Sequence, residues 1–424
     1  MIKKIICLFL IIAISPILSA CTFNPSVEDL LVAPSLSDEQ LSVLNALEAG
    51  RSNRISFVYP LTGSNRSAIQ KYDIDSDGED EIIAFYKVVS ESLNAYISIL
   101  EKNEDNSYYV SSTSEGFGDS INSVFYLSSL VAEDAVLIEW ISPSKSSNTV
   151  SVYTYIDSQL EIGFEENSLD MIVLDLDNSD SFEFCYIVPA TADSSYSLKY
   201  VQSNETTIFS RSQYNLNQDV AEIISLQTGH FKNDVNALFI DESTATGYQT
   251  EVFTLSEDNS RLTRAEIGDG IDLLKLSYRT FDSRLICTDF NNNTCIPSSI
   301  SPNSEVLHPD KWVYWYTVDD NAVVFENPSY YSDELGFLFS FPASWLPYCD
   351  VIRVNDNTYE IWDEINEQLI VSIVLLSVDD DIMDYVKEGY YLVGTNGTSR
   401  YYMFDNDISA KDESFITKSF KVFS

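Results

Sequence analysis

The stretch Asp73-Ile74-Asp75-Ser76-Asp77-Gly78-Glu79-Asp80-Glu81 carries the sharpest chemistry in the chain. Carboxylates at alternate positions, a glycine at the sixth and a further carboxylate at the ninth suit a hard, oxygen-seeking cation. Gly78 lets the backbone turn back, so that the earlier and later oxygens meet one ion. Calcium, which takes about six to eight oxygens at about 2.3–2.6 Å, fits better than magnesium. The expected donors are the side chains of Asp73, Asp75, Asp77 and Glu81 and the main-chain carbonyl of Glu79. An EF-hand needs a bidentate acid at its twelfth position, whereas Glu81 here leads straight into the apolar run Ile82–Tyr86. The competing reading is a solvated acidic turn, but four converging carboxylates repel one another unless a cation sits between them.

Other candidate chemistry is thin. His230 and His308 are the only histidines, and no Gly-x-Ser-x-Gly elbow, phosphate loop or His-Glu-x-x-His helix accompanies them. Of the six cysteines, Cys287 and Cys295 stand eight positions apart across an Asn-rich turn, either as one disulfide or as two apolar thiols. No Cys-x-x-Cys occurs, so zinc or thiol-exchange chemistry has no sequence support. Paired acids could serve a glycosidase, but with 66 Asp and Glu residues no particular pair stands out.

The elements that must position the acidic loop are strands. From Ile55 to Phe325 the chain alternates apolar and polar residues and is rich in Tyr, Val, Ile and Thr. A repeat emerges when the turns are aligned: an apolar strand, a polar turn, a second apolar strand, then a hairpin. The hairpins are expected at Tyr96–Val110, Val150–Phe164, Leu198–Phe209, Val252–Leu262 and Val313–Phe325. The first turns fall near Asp73, Ser129, Asp175, Gly229 and Asp289, spaced by 56, 46, 54 and 60 residues. Such a unit cannot bury both faces of its sheet alone, so neighbours must stack. Radial stacking shields nearly every edge, and the expected fold is mostly β: a β-propeller of about five four-stranded blades over residues 55–325, with Ile55–Tyr59 closing the ring against the last blade. Two β-sandwiches in tandem are the alternative.

Residues 326–332 read as a linker, and the rhythm changes after it. Strands at Gly336–Pro342, Thr358–Trp362, Gln368–Ser377, Tyr390–Val393, Arg400–Phe404 and Phe415–Phe423, with a helix over Asp379–Gly389, predict a separate α+β domain over residues 333–424. Trp345 is expected in its core.

The N-terminus supplies an address. Lys3 and Lys4 precede an apolar run from Ile5 to Leu18, and Leu18-Ser19-Ala20-Cys21 ends it. The pattern resembles a bacterial lipoprotein signal, which implies removal of residues 1–20 and lipidation of Cys21. A chain so anchored is expected at the bacterial cell envelope, on the outer face of the cytoplasmic membrane. Residues 21–54 then form the lipid-anchored tether and a short helix. Within them Ser37-Asp38-Glu39-Gln40 has the form of a capping box ahead of Leu41, Leu44 and Leu47, and Gly50 is placed to stop the helix.

The 424 residues carry 24 basic and 66 acidic groups, a formal net charge of −42, and the signal removes only two lysines. That surface repels nucleic acid and anionic headgroups, which excludes DNA- and RNA-binding roles. The abundance of Tyr and Phe argues against disorder.

The acidic loop resembles the calcium loop of FG-GAP/VCBS-type propeller repeats, in which an Asp-rich turn joins the first two strands of a blade. Later repeats depart from it: Asp175, Asp177 and Glu183 keep three carboxylates but Asp180 replaces the glycine, and Asp289, Asn291 and Asn293 lack the closing acid. The resemblance implies a calcium-stabilised scaffold and specifies no ligand. The segment Tyr331–Trp345 is similar to the opening of PsbP-like domains. Together these features predict an extracytoplasmic lipoprotein acting as a binding or assembly module for a protein or glycan. A surface hydrolase using a carboxylate pair, and an accessory subunit of an envelope complex, are the alternatives.

Overall fold

A computed structural model describes residues 37–49, 53–89, 93–127, 134–178, 183–202, 210–232, 234–265, 271–280, 287–288, 293–302, 306–308, 311–319, 322–406 and 420–422. Cys21, the signal and the tether, together with Asp180, Asp289 and Asn291, lie outside these residues. The chain is mostly β, and its sheets are antiparallel and follow one another in sequence.

The first sheet contains β1 (Ile55–Phe57), β2 (Ile69–Tyr72), β3 (Glu81–Val88), β4 (Tyr96–Lys102) and β5 (Tyr108–Glu115). The second holds β6 (Ser120–Leu127), β7 (Ala135–Ile141), β8 (Asn148–Ile156) and β9 (Gln159–Ser168). The third holds β10 (Met171–Leu174), β11 (Glu183–Val188), β12 (Ser197–Gln202) and β13 (Ser210–Asn215). The fourth holds β14 (Val220–His230), β15 (Asn236–Thr244), β16 (Tyr248–Leu255) and β17 (Leu262–Arg264). The second, third and fourth sheets are simple meanders, in which each strand pairs with the next.

Successive sheets share cores because their second strands are apolar on both faces. In β3, Ile83 and Phe85 pack with Val124, Val136, Ile138 and Trp140 of the second sheet. Leu137 and Val152 of the second sheet join Phe184 and Tyr186 of the third, and Cys185 and Ile187 of the third join Leu238 and Ile240 of the fourth. The fourth and fifth sheets approach closely at Gly229, where a Cβ would stand 1.9 Å from Thr294 Oγ1.

The first sheet departs from expectation. β1 does not close a ring; it pairs with β3, Ile55 opposite Val88 and Phe57 opposite Tyr86. The cause is length, since β2 covers only the first four residues of the eight-residue β3 and leaves the rest of that edge for another strand. Among the described residues no ladder joins the first sheet to the fifth.

The face of β3 turned away from the second sheet is covered by helix α1 (Asp38–Glu48), whose Val43 and Leu47 pack on Ile82, Ala84 and Tyr86. Both reciprocal capping-box bonds form, Ser37 N to Gln40 Oε1 at 3.0 Å and Gln40 N to Ser37 Oγ at 3.2 Å. Leu41, expected on the buried stripe, is exposed instead, because the contact runs along Val43 and Leu47. Glu39 ties the helix across the sheet, pairing with Lys71 of β2 at 2.7 Å and accepting from the Tyr108 hydroxyl of β5.

After a short helix α2 (Leu273–Leu276) the fifth sheet begins with β18 (Cys287–Thr288), β19 (Thr294–Ser298), β20 (Val313–Asp319), β21 (Ala322–Ser332) and β22 (Phe337–Ser340). The register sets Cys287 opposite Cys295. Residues 326–332, read from the sequence as a linker, are the second half of β21, and β22 pairs with them. The sixth sheet is formed by β23 (Cys349–Asn355), β24 (Thr358–Asp363), β25 (Gln368–Ser377), β26 (Tyr391–Thr395) and β27 (Ser399–Asp405), and helix α3 (Met383–Lys387) precedes β26. The terminal strand β28 (Phe420–Val422) returns to β22 in the fifth sheet.

The C-terminal residues therefore do not stand apart: Trp312, Tyr314 and Tyr316 of the fifth repeat share one core with Phe337, Phe341, Trp345, Ile361, Ile373 and Met403. Trp345 lies in that core, stacked on Phe341 at 5.9 Å between ring centroids. The physical reason is the Asn327-Pro328 pair. It carries linker-like composition into a strand, and the ladder accommodates it with a register shift opposite Trp315 and Tyr316.

Candidate metal centre

The acidic loop joins β2 to β3 at the end of the first sheet. Asp73, Asp75 and Glu81 converge, one carboxylate oxygen of each lying within 4.8 Å of the others. The loop is wound by its own carboxylates: Asp73 accepts from Asp77 N at 3.1 Å and from Gly78 N at 3.0 Å, and Asp77 accepts from Glu79 N at 2.8 Å. Gly78 has φ +92°, so the left-handed turn read from the sequence is present. Ser76 also adopts a positive φ, 59°, which a short polar residue tolerates at modest cost.

Glu81 differs from its exposed neighbours. It is buried at the head of β3, and one of its oxygens accepts from Ile74 N at 3.1 Å. Burial, followed by the charges of Asp75, Asp77 and Asp73, pushes it up to about 7, although the Ile74 amide works the other way. Burial and the charge of Asp77 likewise raise Asp75. The loop thus gathers more negative charge than it neutralises internally.

Of the five residues assigned from sequence, the fold brings Asp73, Asp75 and Glu81 together. Asp77 stands outside the trio, accepting from the Glu79 amide, and Glu79 was assigned only through its main-chain carbonyl.

A second trio has the same spacing. Asp175, Asp177 and Glu183 converge between β10 and β11, and Leu176 N donates to Glu183 at 2.9 Å, as Ile74 N does to Glu81. Glu183 is buried, and that burial raises it above the ordinary carboxylate range. Sequence reasoning discounted this loop for lack of the glycine; the 0, +2, +8 acid spacing was the better signal.

Each loop is also fastened to the next sheet. Tyr72, beside the first loop, donates to Asp134 at the foot of β7 at 2.5 Å and stacks on Tyr126 of β6 at 4.1 Å. Asn236, the first residue of β15, donates through Nδ2 to Asp175 O at 3.1 Å, Leu176 O at 3.3 Å and Asn178 Oδ1 at 3.1 Å. The loops are therefore joints between sheets as well as turns within them.

Two other buried carboxylates are engaged by internal donors. Glu242 and Glu251 are diagonal neighbours on β15 and β16, Glu242 opposite Gln249 and Glu251 opposite Ile240, and both are sealed from solvent. Gln249 Nε2 donates to Glu242 at 2.7 Å, and Arg264 Nε and Asn217 N donate to Glu251 at 2.7 and 2.6 Å. His230 ends β14, near the carbonyl of Phe231. His308, by contrast, faces two carboxylates, Asp350 and Glu364.

No known family profile matches the chain, and no curated protein does so either. Among solved structures it is similar to the Pseudomonas aeruginosa periplasmic gluconolactonase PpgL, at 9% identity over 72% of this chain and 84% of that one, with a TM-score of 0.30. It is also similar to Sqt1 of Saccharomyces cerevisiae, at 11% identity over 78% and 85% of the two chains, TM-score 0.28. A third is the GH43 β-1,3-galactosidase BT0265, at 10% identity over 88% and 95%, TM-score 0.25.

Proposed function

We propose that this protein is a non-catalytic, lipid-anchored module of the bacterial cell envelope, in which calcium fixes a propeller-like row of five β-blades for binding or assembly. The observation that carries the reading is the Asp73–Asp75–Glu81 trio, wound around Gly78 and fastened through Tyr72 to the next sheet. An ion there would neutralise carboxylates that burial and mutual repulsion disfavour, and would stiffen the joint between the first two blades. An extracytoplasmic address, with Cys21 as the lipidated residue, would give the loop access to calcium.

The hydrolase alternative needs two carboxylates facing substrate, about 5–5.5 Å apart for retention or about 6.5–9.5 Å for inversion. The diagonal pair Glu242 and Glu251 is 0% and 1% exposed, so no sugar reaches it in this fold. The binding reading rests on the acidic loop, with a protein or glycan as ligand.

Calcium titration of the full mature chain, followed by thermal unfolding, tests the reading. The parent should gain stability with rising calcium, and an Asp73→Asn, Asp75→Asn variant should not. Equal melting temperatures with calcium and with chelator in the parent would remove the metal from the account. Membrane retention that survives Cys21→Ser would remove the anchor.

A further inference from the structure

We propose that His308, Asp350 and Glu364 form a separate site for a divalent transition-metal ion, zinc before the others. The three side chains come from three elements: the connection between β19 and β20, the second residue of β23, and the turn after β24. His308 Nε2 stands 3.3 Å from Glu364 Oε1 and 3.7 Å from Asp350 Oδ2. All three donor atoms lie within 4.8 Å of one another. Zinc–ligand bonds of about 2.0–2.2 Å in a tetrahedron place neighbouring donor atoms about 3.3–3.6 Å apart. The two nitrogen–oxygen separations thus lie at or just beyond the edges of that polyhedron, before any ion has drawn the groups inward.

The surroundings orient the donors as a metal site requires. Asp350 is buried, and its Oδ1 is engaged by Lys311 Nζ and by Val351 N, which turns Oδ2 toward the imidazole. His308 is held in the left-handed region at φ 50°, in a turn closed by Lys311 N donating to His308 O at 3.1 Å. Leu307 N donates to Leu346 O at 3.1 Å and fixes the preceding residue to the C-terminal part of the chain. Two carboxylates against one lysine leave a net negative charge beside the imidazole, which suits a dication. The imidazole nitrogen selects a borderline transition metal over calcium.

Three protein donors leave a fourth position on zinc for water or for a donor from a partner. The ion clips the connection between β19 and β20 to β23 and β24, and so secures the fifth sheet to the sixth. This site is independent of the calcium loop, which lies in the first sheet.

The competing arrangement is a metal-free one, in which a protonated His308 bridges the two acids. Cobalt titration of the chelator-treated mature chain separates the two, because tetrahedral cobalt absorbs strongly in the visible. One saturable cobalt equivalent, displaced by zinc, is expected, and it should weaken at least tenfold in both His308→Ala and Glu364→Gln. The second variant changes an exposed side chain, so it keeps the fold if the first does not. An Asp75→Asn variant should bind cobalt at this site as the parent does. Absence of a saturable cobalt band in the parent, or a band unchanged in Glu364→Gln, would overturn the site.

Discussion

Arg279 and Asp241 form an ion pair at 3.0 Å, with each side chain only 1% exposed. Thr250 completes it, donating to Asp241 at 2.6 Å and accepting from Arg279 at 3.0 Å. Arg279 also makes a bridge with Tyr248, so this pair holds the segment after α2 against β16. Removing one partner leaves a buried charge without its counterion, which costs about 3–5 kcal/mol. Arg279→Ala should therefore lower the urea midpoint sharply. The joint replacement Arg279→Met with Asp241→Leu should recover much of the loss, because apolar groups of similar size are tolerated there.

Gly78 should resist substitution even though nothing stands near it. A Cβ there would meet no atom within 4 Å, yet the φ of +92° penalises any side chain. Gly78→Ala should cost about 1 kcal/mol in stability and weaken calcium binding, since strain in the loop opposes convergence of Asp73 with Glu81. Isothermal calorimetry of variant and parent measures the affinity, and thermal unfolding measures the stability. Equal affinity would show that the turn does not gather the ligands.

At Gly229 the limit is steric. The added methyl of Gly229→Ala would collide with Thr294 of the neighbouring sheet. The expected loss is about 1–3 kcal/mol, as for other overpacked cores. Chemical denaturation should show it, and Thr294→Ala in the same chain should return part of the stability by making room.

The Glu242–Glu251 pair predicts a pH dependence. Burial first, and then the Glu251 charge, hold Glu242 well above the usual carboxylate range. Such a group keeps its proton in the folded chain where the unfolded chain has released it. Its contribution to stability is complete at low pH and is lost as pH rises above the ordinary glutamate value of about 4.3. Glu242→Gln should melt higher than the parent at pH 8, and the gap should close toward pH 4. A gap of the same size at both ends would assign the effect to packing.

The strand rhythm was legible because alternation and turn residues are local signals. The hairpins expected at Tyr96–Val110, Val150–Phe164 and Val252–Leu262 coincide with β4–β5, β8–β9 and β16–β17. The turn expected near Gly229 follows it directly, since β14 ends at His230 and β15 begins at Asn236, while Gly229 itself makes the close approach to Thr294. The expected helix Asp379–Gly389 contracts to Met383–Lys387. There Asp380 takes the amide of Ser377 and Asp381 that of Met383, spending carboxylates on turns ahead of the helix. In the acidic loop, local spacing found Asp73, Asp75 and Glu81. The His308, Asp350 and Glu364 group was invisible, because no sequence interval links residues gathered from three elements.

The eleven-residue span of β21 decides how this protein can be taken apart. A truncation at residue 326 or 333, where composition suggests a seam, would cut a ladder in half or strip it of β22 and β28. Tyr314, Tyr316 and Trp312 would then lose the Phe337–Met403 side of their core and face water. Fragments made at that seam should clump during purification, whereas the intact polypeptide should behave as one piece under limited proteolysis.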